Sequence, residues 1–307
     1  MSSYFQNAWQ NAWQPGWYVF TPSYAYAAGG YTTGASDIID RFAMSSHSNA
    51  TDVGDLSSAR YNLAGHYDGS YGYTSGGANS GGTRINVIGR YEMTAGGSGS
   101  DVGDLSVTRF VAAGTQDTTY GYTSGGDSGS QSNVIDRFEM TATANASDVG
   151  DLSVARSRAC AQEDGTYGYT SGGTTGSVVD VIDRFEMTSS ANASDVGDIT
   201  VARRDPSGTN DDTYGYTSGG ISASVLNVIG RFEMTSSANA SDVGDLSVAR
   251  YLTVGAQDDS YSYTSGGWVS SAVNPIDRFE QTSSANASDV GDLTTVRAAG
   301  AGAQDAA

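Results

Sequence analysis

The sequence predicts an all-β protein, a six-bladed β-propeller with four-stranded antiparallel blades, because three motifs recur together along the chain. Asp-Val-Gly-Asp begins at Asp52, Asp101, Asp148, Asp195, Asp242 and Asp289, spaced once by 49 residues and then by 47. Tyr-x-Tyr-x-x-Gly-Gly begins at Tyr24, Tyr71, Tyr120, Tyr167, Tyr214 and Tyr261. Ile-(Asp/Gly)-Arg-(Phe/Tyr) begins at Ile39, Ile88, Ile135, Ile182, Ile229 and Ile276. A fixed period of this length is typical of repeats that pack only against their neighbours.

One unit supplies four strands in order. Residues 120–126 alternate bulky and small side chains, which is the period of a strand. We expect the tyrosine face of that strand to fill the glycine face of the next sheet. Residues 133–140, rich in β-branched and aromatic types, predict a second strand, and residues 148–154 a third that begins in an Asp-x-Gly bend. Residues 157–164 predict a fourth strand, innermost in the next blade.

The two ends of the repeat region predict a closed ring. Residues 24–30 match the second strand of a blade, and residues 298–305 match the first strand. The C-terminal strand would therefore complete the N-terminal blade and remove the free edges of an open array. We divide the chain into an aromatic N-terminal arm, residues 1–20, and the propeller, residues 21–307.

The N-terminal arm concentrates aromatic residues outside the repeat, including three of the four tryptophans. One interpretation is an arm folded across one end of the central channel. The other is an anchor that docks into a larger assembly, since so aromatic a segment would be poorly soluble when exposed. We favour the anchor, with Trp9, Trp13, Trp17 and Tyr18 as its contact residues.

Charge and composition exclude several classes of partner. The formal net charge is −19 and the chain has no lysine, which disfavours nucleic acid and anionic membrane surfaces. No apolar run is long enough to span a membrane, and the first residues do not resemble a signal peptide. The single cysteine, Cys160, makes an intramolecular disulfide impossible.

Twelve of the 15 arginines occupy two fixed positions of the repeat. The first set is Arg41, Arg90, Arg137, Arg184, Arg231 and Arg278, and the second is Arg60, Arg109, Arg156, Arg203, Arg250 and Arg297. We predict that they are structural and pair with the repeated Asp and Glu side chains, because a guanidinium can bond carboxylates while partly buried. The first Asp of each Asp-Val-Gly-Asp motif could belong to a calcium loop, but we favour a role in turns and ion pairs and predict no metal.

Binding is better supported than catalysis. Only two histidines exist, His47 and His66, and we expect both in surface loops, so we predict no enzyme activity and no cofactor. The loops between the second and third strands and between the fourth and first strands emerge at the same end and vary most, which is typical of a recognition surface, although drift in surface loops is the alternative. The candidate binding residues there are Arg84, Arg158, Arg204, Trp268, Tyr61, Phe110 and Tyr251.

The order of these landmarks resembles the kelch family over about residues 21–305. The Gly-Gly pair at the end of one strand and the aromatic residue of the next, as in Gly125-Gly126 and Phe138, match the kelch pattern. Asp-Val-Gly-Asp stands where a kelch blade carries a tryptophan, and it resembles a degenerate form of the aspartate box of sialidase-type propellers, a turn motif.

The amino-acid sequence of the repeat also resembles that of kelch-like proteins of marine tailed phages, including phages of cyanobacteria. That resemblance implies a non-catalytic virion protein, such as a fibre, neck or capsid-surface appendage, made in the host cytoplasm without a signal peptide. It would contact other virion proteins through the arm, and a host glycan or neighbouring subunit through the variable loops. The alternative is a bacterial carbohydrate- or protein-binding propeller that belongs to no virion.

Overall fold

The computed structural model describes residues 24–93 and 96–305. Within these ranges the chain forms 24 β-strands and no helix. The strands make six separate four-stranded sheets, and every pairing within them is antiparallel. The protein is a six-bladed β-propeller, which confirms the predicted fold. No helix that could cross a membrane occurs among the described residues.

Each blade has the same strand order from the axis outward. The innermost strands are β4 (Ala64–Tyr67), β8 (Ala113–Gln116), β12 (Cys160–Glu163), β16 (Ser207–Asn210), β20 (Val254–Gln257) and β24 (Ala301–Gln304). The second strands are β1 (Tyr24–Tyr31), β5 (Tyr71–Ser75), β9 (Tyr120–Ser124), β13 (Tyr167–Ser171), β17 (Tyr214–Ser218) and β21 (Tyr261–Ser265). The third strands are β2 (Ala35–Ala43), β6 (Val87–Glu92), β10 (Val134–Glu139), β14 (Val181–Glu186), β18 (Val228–Glu233) and β22 (Pro275–Glu280). The outermost strands are β3 (Thr51–Asp55), β7 (Ser100–Asp104), β11 (Ser147–Asp151), β15 (Ser194–Asp198), β19 (Ser241–Asp245) and β23 (Ser288–Asp292).

The ring closes as the sequence predicts. β24 pairs with β1, from Ala25 opposite Gln304 to Ala28 opposite Ala301. Blade 1 therefore consists of β24, β1, β2 and β3, and blades 2 to 6 follow in chain order from β4. The N-terminal arm, with Trp9, Trp13, Trp17 and Tyr18, lies outside the described residues, so its anchor role stays a prediction.

The interface between neighbouring blades is a layer of aromatic rings. The second tyrosine of each Tyr-x-Tyr motif is fully buried, as Tyr169 illustrates. Its ring packs against Phe232 of the next blade at 5.7 Å between centroids, and its hydroxyl donates to the Met234 carbonyl. The predicted filling of glycine by tyrosine is wrong in detail, because the space above Gly215 is occupied by Phe232 of the same blade. The tyrosine of the preceding blade then packs on that phenylalanine.

The innermost strands approach one another closely at the axis. A Cβ atom added to Gly114 would lie 2.5 Å from the Gly65 carbonyl oxygen of the preceding blade. Five of the six innermost strands carry glycine at this position, and Ala161 stands at the sixth. The cavity at the axis is consequently small, about 70 Å³.

Candidate functional site at the loop end

One end of the propeller, here called the loop end, collects the two sets of variable loops. The residue after each repeat arginine of the second set forms a β-bridge with the residue after a Gly-Gly pair. The six bridged pairs are here called junctions. They are Tyr61 with Ala78, Phe110 with Asp127, Ser157 with Thr174, Arg204 with Ile221, Tyr251 with Trp268, and Ala298 with Tyr31. The prediction that these loops emerge at one end is confirmed.

A closed circle of backbone hydrogen bonds surrounds the axis at this end. Its members, here called the mouth ring, are Asn62, Val111, Arg158, Asp205, Leu252 and Ala299, each two residues after a repeat arginine. The amide N–H of each donates to the carbonyl oxygen of the member in the preceding junction, at 2.8 to 2.9 Å, and Asn62 donates to Ala299 to close the circle.

The mouth ring is held in an unusual backbone conformation. All six residues have φ between 51° and 62°, the left-handed region that non-glycine residues seldom adopt. The β-branched Val111 is the least suited to it. Such outliers persist where surrounding contacts impose them and cluster at functional sites. Together with neighbouring side chains, the ring lines a depression of about 100 Å³.

Arg158 and Arg204, which the sequence marks as separate candidates, converge on one carboxylate. Both guanidinium groups contact Asp205, each with an N–O distance of 3.0 Å. The Asp205 side chain is 2 % exposed, while the two arginines are about one-third exposed. Burial raises the pKa of the Asp205 carboxyl, and the two neighbouring positive charges counteract part of that rise. Asp205 therefore fixes two partly exposed cations at the mouth, and it is a site residue that was not predicted from the sequence.

Arg84 and Phe110 also form one unit. The Arg84 guanidinium lies 5.0 Å from the centroid of the Phe110 ring and 3.0 Å from an Asp127 carboxylate oxygen. All three side chains belong to the loop end, so the structure brings together two of the predicted binding residues.

The remaining candidates, Tyr61, Tyr251 and Trp268, form a group of aromatic rings together with Tyr31. This group is here called the aromatic sector. Tyr251 and Trp268 exchange two backbone hydrogen bonds, of 3.1 and 2.7 Å. Tyr61 packs edge-on against Tyr31, with 5.2 Å between ring centroids. The junctions that carry these pairs are consecutive around the ring, with the small residues Ala298 to Gly300 between them. All four rings are partly exposed.

The second set of repeat arginines is buried, and four of the six pair with aspartate as predicted. The pairs are Arg109 with Asp136, Arg156 with Asp183, Arg250 with Asp277, and Arg297 with Asp40. Each pair joins one blade to the next, and the last joins blade 6 to blade 1. For Arg60 and Arg203 the prediction is wrong, because Gly89 and Gly230 stand where the other blades carry the aspartate.

The first set of repeat arginines lies over aromatic rings. Each guanidinium sits 4.3 to 4.9 Å from the centroid of the first tyrosine of its own blade, for example Arg137 over Tyr120. This stacking is a cation–π interaction. The expectation of a carboxylate partner thus missed the aromatic partner on the adjacent strand.

The first Asp of each Asp-Val-Gly-Asp motif closes a local turn. Its side-chain oxygen accepts a bond from the amide two residues later, at 3.1 or 3.2 Å; these residues are Asp52, Asp101, Asp148, Asp195, Asp242 and Asp289. This turn geometry agrees with the favoured interpretation. No group of three or more His, Cys, Asp or Glu residues suited to hold a metal ion occurs in the part of the chain that the structure describes.

The opposite end carries a larger depression, of about 580 Å³, here called the acidic cup. Glu163, Asp212 and Asp259 are among its lining residues. Burial, then the nearby Asp258 and Asp212, raise the pKa of Asp259. The cup is not among the sites predicted from the sequence, although the Asp-Asp pairs at 211–212 and 258–259 are a signal of it.

One of the two histidines is not in a surface loop. His66 lies in β4 and is fully buried, with its ring nitrogens 2.9 Å from the Thr115 carbonyl and 3.0 Å from the Ser75 hydroxyl. Burial lowers its pKa to about 4. His47 is exposed, as expected. Cys160 is buried, and burial raises its pKa to about 11, so its thiol is unreactive at neutral pH.

No protein-family model matches the chain, and no curated protein is significantly similar to it in sequence.

Proposed function

We propose that the protein is a non-catalytic binding component of a phage virion and that its loop end is the recognition surface. The observation that carries this proposal is a contrast within each repeat. The buried side chains between blades recur almost unchanged, whereas the residues at the loop end differ from junction to junction. An unvarying framework that presents different loops at one end is the arrangement expected of a recognition surface.

The chemistry of the aromatic sector supports a host glycan or a neighbouring subunit as the ligand. Trp268, Tyr251 and Tyr61 offer partly exposed aromatic faces with polar groups at their edges. Tryptophan and tyrosine combine a large contact area with a hydrogen-bonding group, and they are frequent anchors of interfaces. The arginines beside Asp205 add positive charge to a protein that is otherwise strongly acidic.

The virion assignment rests on the resemblance of the repeat to kelch-like phage proteins and on the aromatic N-terminal arm. In this proposal the arm attaches the propeller to other virion proteins, as a fibre, neck or capsid-surface component, and leaves the loop end free. The second candidate is a bacterial carbohydrate- or protein-binding propeller outside any virion. It uses the same loop end, and the two are separated by whether the gene lies among capsid and tail genes.

Binding to a panel of bacterial surface glycans tests the role of the loop end. The Trp268→Ala variant should lose binding by tenfold or more, because an interface anchor contributes that much. Asp259→Asn in the acidic cup is the matched control and should bind like the parent protein. Loss in Asp259→Asn with retention in Trp268→Ala would assign recognition to the acidic cup and contradict the proposal.

Deletion of residues 1–20 tests the anchor. The shortened protein should fold and keep its glycan binding, yet fail to enter particles when it replaces the complete chain during infection. Normal incorporation would remove the arm from the proposal.

A further inference from the structure

The buried arginines of the second set lie at all six blade interfaces, but they do not share one counter-charge. Three of them, Arg60, Arg109 and Arg203, make the same backbone contacts. Arg109 donates through Nη1 to the carbonyls of Gly125 and Val134, at 3.0 and 2.9 Å. Arg60 makes the same two contacts with Gly76 and Val87, at 3.2 and 2.9 Å. Arg203 likewise contacts Gly219 and Val228, both at 3.0 Å.

At four interfaces the aspartate that faces the arginine is bound by a set of donors. Asp183 accepts a bond from Arg156 at 2.9 Å, from the Ser153 amide at 2.9 Å and from the Ser153 hydroxyl at 2.5 Å. The same amide donates to the aspartate at the other three interfaces, from Ser106, Ser247 and Thr294. The fold therefore builds a local anion-binding environment from an arginine and the start of the loop three residues before it.

Blades 2 and 5 keep the donors but have no carboxylate. Gly89 and Gly230 replace the aspartate, while Ser57 with Arg60, and Thr200 with Arg203, retain the donor positions. The Nη2 of Arg60 donates to the Thr74 hydroxyl at 2.5 Å.

At the second interface Nη2 of Arg203 donates to the hydroxyl and carbonyl of Thr217, at 2.7 and 3.2 Å. All of these acceptors are neutral.

Two fully buried cations thus lack the directly bonded carboxylate that the other four have. Asp101 attracts Arg60 and Asp242 attracts Arg203 only through space. The side chains of Arg60 and Arg203 are 0 % exposed. An uncompensated charge in the interior is strongly destabilising. Burial lowers the pKa of each guanidinium to about 10, so both remain protonated at neutral pH.

We propose that the interfaces between blades 1 and 2 and between blades 4 and 5 each bind a small monovalent anion of the chloride class, on Arg60 and Arg203. The anion occupies the position that the aspartate carboxylate takes at the other four interfaces. The missing aspartate side chain leaves the arginine and the amide three residues before it without an anionic acceptor. The two blades are three apart in a ring of six, so the two sites lie on opposite sides of the axis.

Donor groups lie close to both glycines. A Cβ added to Gly89 would clash with Arg60 Nη2 and lie 3.1 Å from the Thr74 hydroxyl, so two donors line the position and the guanidinium must retract for an anion to enter. A Cβ added to Gly230 would lie 2.9 Å from the Thr217 hydroxyl, 3.0 Å from the Thr200 hydroxyl and 3.1 Å from Arg203 Nη2. Ser57 is exposed, which gives the first site a route to solvent.

Thermal unfolding in matched salts tests the proposal. Sodium chloride or bromide should raise the unfolding midpoint by about 2–4 °C or more over sodium gluconate of equal ionic strength, following a saturable curve. The double variant Gly89→Asp/Gly230→Asp supplies both carboxylates. It should be more stable in gluconate and should lose the difference between the salts. An equal difference between the salts in parent and double variant would overturn the proposal, as would no difference in the parent.

Asp183→Gly is the reciprocal variant, because it should create a third site. Its midpoint should fall in gluconate and recover more in chloride than that of the parent. Should these variants fail to fold, bromide-soaked crystals of the unaltered protein give an independent result. Anomalous peaks are expected beside Arg60 and Arg203 and not beside the four paired arginines, and the lack of a peak beside either would refute the assignment.

Discussion

The blade interfaces and the loop end are built from the same six repeats, but they differ in sequence variation. The interface side chains recur from repeat to repeat, whereas the loop-end side chains differ. At the interfaces, one tyrosine, one aromatic partner and one buried arginine recur in every blade. At the loop end, the mouth ring holds six different residue types in one backbone conformation. The interfaces constrain side chains and the mouth ring constrains the backbone. Substitutions should therefore affect stability at the interfaces and ligand binding at the loop end.

Removal of the closing strand should have the largest effect. Deletion of residues 298–307 takes β24 from blade 1, exposes the inner edge of β1 and opens the mouth ring at Ala299. An exposed edge strand pairs with other chains, so we expect oligomers and loss of the cooperative unfolding transition. Size-exclusion chromatography and urea unfolding measure both. A monomer with an unchanged midpoint would show that the interfaces do not depend on closure.

The next largest effect should come from the aromatic layer. Tyr169→Ala should lower the free energy of unfolding by about 3–5 kcal/mol, because a large buried aromatic side chain is lost and a cavity is left. Tyr251→Ala at the loop end is the matched control and should cost about 1 kcal/mol or less. Urea unfolding gives both values. Similar losses at the two positions would contradict the contrast between interface and loop end.

A pH-dependent loss of stability should follow from His66. Its folded pKa of about 4 lies below the ordinary value of 6.5, so the unfolded chain binds the proton first as the pH falls. The contribution of His66 is complete above pH 6.5 and is lost between 6.5 and 4, by about 3 kcal/mol.

The variant His66→Gln isolates this contribution from that of the many carboxylates. Glutamine occupies the equivalent position in blade 4, at Gln162, and is buried there. The unfolding free energy of the His66→Gln variant should fall less steeply than that of the parent protein between pH 6.5 and 4. Equal slopes for the two proteins would mean that His66 titrates normally in the folded state.

The smallest effect on stability is expected at the loop end. Arg84→Ala removes a partly exposed ion pair with Asp127 and a contact with the Phe110 ring, together worth about 1 kcal/mol. The loss should shrink at high salt, because the ion pair is screened. A loss comparable to that of Tyr169→Ala would place Arg84 in the framework.

Features that recur in every repeat can be predicted from the sequence, whereas features that depend on contacts between neighbouring blades cannot. Period, strand order and ring closure could be predicted because they depend on patterns that recur six times. The left-handed backbone of Val111 or Leu252 has no local signal, since the conformation follows from a hydrogen bond to the preceding junction. The burial of His66 was missed because a single exception in a four-residue strand does not reveal which way its side chain faces.

The convergence of Arg158 and Arg204 was partly visible in the sequence. The segment Arg203-Arg-Asp-Pro departs from the repeat, and its aspartate could have been recognised as a partner for both arginines. Gly89 and Gly230 were equally visible as exceptions to the Ile-Asp-Arg motif. Their consequence, a buried guanidinium without a carboxylate, depends on a contact between strands of different blades that no single repeat contains.

The mouth ring has a consequence for how this protein can change. Each member is held by backbone hydrogen bonds on both sides, so its side chain takes no part in the hydrogen bonds that close the ring. Apart from Arg158 and Asp205, whose side chains pair with each other, these positions around the axis can be exchanged independently, much as the variable positions of an antibody loop can, without altering the path of the chain. New specificities could accumulate there one residue at a time on an unaltered scaffold.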